Sequence, residues 1–102
     1  MISHNKLVRD KIPEIIASSG RKYKSHIADF EEYETMLKRK LLEEVNEFVE
    51  APCTEELADI YEVMQAIIKH FDFDISDVEA AQKTKKSERG GFDHKIILEH
   101  VE

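Results

Sequence analysis

The stretch Lys40–Glu62, KLLEEVNEFVEAPCTEELADIYE, most constrains how this chain can fold. Glu44 and Glu47 form one acidic pair, and Glu56 and Asp59 form another, each with spacing i, i+3. Ala51-Pro52-Cys53-Thr54 interrupts the pattern between them. Residues three apart share one face of a helix. Two helices joined by so short a link run antiparallel. At ~1.5 Å per residue, Glu47 lies about 7 Å before the break and Asp59 about as far after it. If both acidic faces turn inward, four carboxylates converge at one level of the hairpin. Four uncompensated anions there repel strongly. A hard dication with oxygen ligands, Mg²⁺ or Mn²⁺, relieves that repulsion. Glu44, Glu47, Glu56 and Asp59 are therefore the candidate metal ligands.

The surrounding pattern supplies the helices. Asp29 followed by Glu32 is a capping box that opens a helix expected to run to about Glu50. Tyr33, Met36, Leu37, Leu41, Val45, Phe48 and Val49 make its apolar stripe. Glu44 falls beside that stripe, where surface helices seldom keep a carboxylate, whereas Glu43 and Glu50 read as solvated. Pro52 ends this helix, and Thr54 caps the next, expected from about Glu55 to His70. Its stripe is Leu57, Ile60, Tyr61, Met64, Ile67, Ile68 and Phe71. Glu56 sits in the first turn, where the helix dipole alone accounts for a negative charge. Asp59 sits in mid-helix, where Asp is a poor helix former, and so needs another reason.

Two flanks carry the cations. Lys6, Arg9 and Lys11 cluster in KLVRDKIP, ahead of a short helix with Asp10 as its cap and Pro13 in its first turn. Ile12, Ile15 and Ile16 are its apolar stripe, and Gly20 is its stop. The cations read either as a solvated helix start or as a basic arm for ligand phosphates. Tyr23–Ala28 reads as an extended segment. Asp72 and Asp74 read as turn residues, since the EF-hand pattern is absent. Ser76 with Glu79 is a further capping box, for a fourth helix from Asp77 to about Arg89. That helix is weakly apolar and carries Lys83, Lys85, Lys86 and Arg89. It is either a solvated face or a holder of an anionic substrate. Gly90 and Gly91 permit a sharp reversal after it. The tail, DHKIILEHVE, is β-branched near its middle and could form a short strand, paired with Tyr23–Ala28 or across a subunit interface.

At 102 residues the chain is long enough for one domain, spanning 1–102, with a modest core. No apolar run approaches the ~18 residues of a membrane span. No signal-peptide core is visible near the N-terminus, so a cytoplasmic location is expected. Cys53 is the single cysteine, which excludes an internal disulfide and a cysteine-based zinc site. A net charge of −7 argues against a nucleic-acid polymer as partner but leaves a small nucleotide open.

Glu44-Val-Asn-Glu47 followed by Glu56-Leu-Ala-Asp59 resembles the ExxE…ExxD metal signature of the all-α nucleoside triphosphate pyrophosphohydrolases. That superfamily includes MazG, the dimeric dUTPases and phosphoribosyl-ATP pyrophosphohydrolase. The chain is similar, over nearly its whole length, to a small MazG-like subfamily. Its KLVRDKIPEII-type opening corresponds to Lys6–Ile16, and its K..ERGGF-type close to Lys86 and Glu88–Phe92. The resemblance implies an all-α, four-helix bundle completed by oligomerisation, as a homodimer or homotetramer. It implies Mg²⁺-dependent cleavage between the α- and β-phosphates of a nucleoside triphosphate, giving the monophosphate and pyrophosphate, with house-cleaning of non-standard nucleotides as one role. By position, Glu44, Glu47, Glu56 and Asp59 would hold the metal, and Glu44 or Glu47 would activate water. Lys83, Lys86 and Arg89, with Arg9 and Lys11, would meet phosphates. In phosphoribosyl-ATP pyrophosphohydrolases of histidine biosynthesis the ExxD helix continues with Tyr-His, whereas here Glu62-Val63 follow Tyr61. That substrate is therefore an alternative, as is a catalytically silent nucleotide-binding or regulatory helical protein.

Overall fold

Each helix of this chain begins and ends on an identifiable residue. In a computed structural model, which describes residues 5–102, they are α1 (Ile12–Ser18), α2 (Phe30–Glu50), α3 (Thr54–His70) and α4 (Ile75–Arg89). Asp29 caps α2 as its spacing from Glu32 predicts, accepting the Glu32 N–H at 2.9 Å. Pro52 has no N–H to continue the ladder, so α2 stops and the chain turns. Gly20, at φ +83°, follows the end of α1.

Three caps sit one or two residues from their expected places. Lys11, not Asp10, precedes α1, and its side chain makes no capping bond. Cys53, in extended conformation, precedes α3, and Thr54 is already helical. Asp74 caps α4, with its carboxylate accepting both the Ser76 N–H and the Ser76 hydroxyl. Ser76 thus serves the cap rather than being it. Its two hydrogen bonds hold the Asp74 carboxyl below the usual aspartate pKa.

The only extensive helix–helix packing among the described residues is α2 against α3. Leu37 and Val63 are the buried apolar side chains of that seam, with Glu44 buried between them in chain order. One end of the hairpin is closed by His70, which lies 3.3 Å from Glu34 and packs against Phe30, Tyr33 and Phe71. The α3 stripe expected from periodicity is rotated. Leu57, Tyr61 and Met64 are exposed, while Glu56, Asp59, Ile60 and Val63 turn toward the seam. On α2, Leu42, Val45 and Val49 are likewise exposed.

Neither α1 nor α4 buries a residue, so one chain does not close a four-helix bundle by itself. The radius of gyration is 18.2 Å, against about 13 Å for a compact domain of this size. The expected C-terminal strand is not formed. The described residues contain no strand, and Asp93–Glu102 carries a left-handed residue at Lys95, φ +59°. A strand needs a paired edge, and neither Tyr23–Ala28 nor any other described segment of this chain offers one. No helix among the described residues is long and apolar enough to cross a membrane.

Candidate metal centre

The short Ala51–Cys53 link folds α3 back along α2, and the two acidic pairs thereby come together at the seam. They do so as two overlapping sets rather than one set of four. Ligand oxygens of Glu44, Glu56 and Asp59 lie within 4.8 Å of one another. Oxygens of Glu43, Glu44 and Glu47 do the same. Glu44 is the member common to both. Glu47 therefore joins the centre from the α2 side, through Glu44, and Glu43, read from the sequence as solvated, joins it as well.

Glu44 is only 6% exposed, the one buried charged residue among those described. Its Oε1 lies 3.2 Å from Lys40 Nζ. Its Oε2 is buried and has no hydrogen-bond partner, and the same is true of Glu56 Oε2. A buried carboxylate oxygen without a donor is costly. Two of them at one seam, on residues that also share a candidate ligand set, form an acceptor surface without donors of its own. An oxygen-seeking dication fits that donor set, and a thiol- or imidazole-seeking metal does not.

Local charges tune each group differently. Burial pushes the Glu44 carboxyl above the usual glutamate pKa, with Glu47 adding to the rise and Lys40 opposing it. Burial acts the same way on Glu43, but hydrogen bonds from Lys40 and Lys6 outweigh it and hold Glu43 low. Burial penalises the Lys40 ammonium, yet Glu43 and Glu44 more than offset this and raise its pKa. Lys40 was not singled out from the sequence. Its i, i+3 and i, i+4 spacing to Glu43 and Glu44 is the signal that marks it.

The cations expected at phosphates divide into two groups. Arg9 reaches the centre, with its Nη2 2.8 Å from Asp59 Oδ1. Lys6, from the same segment, lies 3.1 Å from Glu43 Oε1. Lys11 is exposed and makes no ion pair among the described residues. Lys83, Lys86 and Arg89 stand on α4, exposed, with no ion pair among the described residues. Gly90, at φ +85°, ends that helix. The single chain therefore assembles the acidic half of the expected site and leaves the α4 cations outside it.

Comparison with family models, with curated proteins and with solved structures returns no match.

Proposed function

We propose that this chain is a Mg²⁺-dependent nucleoside triphosphate pyrophosphohydrolase that cleaves the α–β phosphoanhydride. The observation that carries the reading is Glu44: buried, with one oxygen unpartnered, and common to both carboxylate sets. Glu44, Glu56 and Asp59 would hold Mg²⁺, with Mn²⁺ as a substitute, and Glu47 would complete the set from the α2 side. When bound, the ion would supply charge neutralisation and polarise the phosphate oxygens.

The chain's own residues would do the rest. Glu47 is exposed beside Glu44 and is the group best placed to accept a proton from the attacking water. Water forms a bond to phosphorus, the bridging P–O bond breaks, and pyrophosphate leaves with the bridging oxygen. Lys83, Lys86 and Arg89 would neutralise charge on that leaving group. They would do so within an oligomer, because α4 buries nothing against its own hairpin. The exposed Leu42, Val49, Leu57 and Tyr61, together with the extended shape, support a second copy as the missing layer.

Pyrophosphate release from ordinary and modified nucleoside triphosphates, and from phosphoribosyl-ATP, tests this reading and sorts a selective enzyme from a broad one. Sedimentation of the pure protein tests the assembly. A dimer or larger species is expected, and a monomer at all concentrations removes the second copy.

A further inference from the structure

The segment ahead of α1 is fastened across the acidic centre by two long-range ion pairs. Lys6 reaches Glu43 on α2, and Arg9 reaches Asp59 on α3. The partners are 37 and 50 residues apart in sequence, so neither pair is a local helix contact. Leu7 between them is half-buried, in a small hollow shared with Met36 and Lys40. Among the described residues the segment makes no other ion pair, and α1, which follows it, buries no side chain.

The two fasteners differ in what they touch. Asp59 belongs to the set with Glu44 and Glu56, whereas Glu43 belongs only to the set on α2. Arg9 thus neutralises a candidate ligand of the metal, and Lys6 does not neutralise any of Glu44, Glu56 and Asp59. The Arg9–Asp59 pair is also open to solvent, at 57% and 39% side-chain exposure. Exposed pairs of this kind bias an equilibrium by about five-fold at most. A dication drawing on three carboxylates outcompetes a single guanidinium held that weakly. The guanidinium fork fits phosphate as well as it fits carboxylate.

The geometry points to Arg9 as an exchangeable cation: docked on Asp59 in the resting chain, displaced when a divalent ion takes that carboxylate, and delivered to the phosphate oxygens of the nucleotide at the same centre. Lys6 on Glu43 keeps the segment tethered during the exchange, so Arg9 stays within reach of the ligand. This inference rests on the reading of Glu44, Glu56 and Asp59 as a metal centre. It adds a regulatory consequence: the docked segment lowers the apparent metal affinity by the fraction of chains in which Arg9 is seated.

The test is calorimetric titration of the full-length chain with MgCl₂ alone, then with a non-hydrolysable nucleoside triphosphate at saturating Mg²⁺. Wild type, Arg9→Gln and Glu44→Gln are compared. Arg9→Gln should bind Mg²⁺ about two- to five-fold more tightly and the nucleotide about ten-fold or more weakly. In the wild type, Mg²⁺ should speed hydrogen exchange at Val8–Lys11. Unchanged or weaker Mg²⁺ binding by Arg9→Gln, with wild-type binding intact and lost in Glu44→Gln, overturns the exchange and leaves the metal centre standing. No Mg²⁺ binding by the wild type overturns both.

Discussion

The α2–α3 seam and the surface of α4 are both rich in charge, and they use it in opposite ways. In the seam a glutamate is almost fully buried, two carboxylate oxygens lack donors, and Lys40, Lys6 and Arg9 crowd the edges. On α4 every residue is exposed, and Lys83, Lys86 and Arg89 meet no anion among the described residues. Burying a charge opposes folding unless something compensates it. The seam therefore carries a folding cost that the proposed dication would offset. The α4 cations carry no such cost, so their charge alone does not distinguish a phosphate site from a solvated helix. What decides between those is whether a second copy or a nucleotide brings them to the seam.

The sharpest way to break this contrast is to neutralise one side at a time. Glu47→Gln should reduce pyrophosphate release by about 10³-fold, with the circular dichroism spectrum unchanged, because it removes the proposed ligand and base without a change of shape. Unchanged turnover would remove Glu47 from the site. Leu37→Ala opens the seam itself and should cost about 3 kcal/mol in denaturant unfolding. Val78→Ala, the matching deletion on exposed α4, should stay within about 0.5 kcal/mol. Lys86→Ala should raise KM for the triphosphate about ten-fold and leave the Mg²⁺-induced shift in Tm untouched. An equal loss of that shift would mean α4 serves the metal, not the phosphates.

A further effect follows from pH. Glu44 is raised above the ordinary glutamate value of about 4.3, so the folded state holds its proton more tightly than the unfolded state. Stability contributed by Glu44 is therefore present below that unfolded value and is lost as pH rises through the folded one. Glu43 is lowered, so its contribution is present above about 4.3 and is lost as pH falls through its folded value. Without divalent ions, Glu44→Gln should raise stability near neutral pH by about 1 kcal/mol and flatten the dependence just above pH 4.3. With Mg²⁺ present the order should reverse, because only the wild type gains from the ion.

The helices were legible because their signals are local. Asp29 with Glu32, Pro52 as a stop, Gly20, and apolar periodicity through Leu37 and Ile60 each act within a turn or two. The acidic pairs were legible for the same reason, since i, i+3 spacing and a short link suffice to bring them near. The rotation of α3 was not. Counting apolar positions placed Leu57, Tyr61 and Met64 inward, but Glu56 and Asp59 occupy that side of the seam and turn those residues to solvent. The roles of Arg9 and Lys6 depend on contacts across 50 and 37 residues, which no local pattern encodes. The tail forms no strand within the single chain on the same ground: β-branched residues favour a strand only where an edge receives it.

Pyrophosphate release in Mg²⁺ across the nucleotide panel, run in parallel on wild type and Glu44→Gln, tests the central claim most directly. The account predicts monophosphate and pyrophosphate in a one-to-one ratio from at least one wild-type reaction, and none above background from Glu44→Gln. Equal release from both proteins, or no release and no Mg²⁺-dependent rise in Tm from the wild type, would contradict a metal-dependent pyrophosphohydrolase centred on the α2–α3 seam.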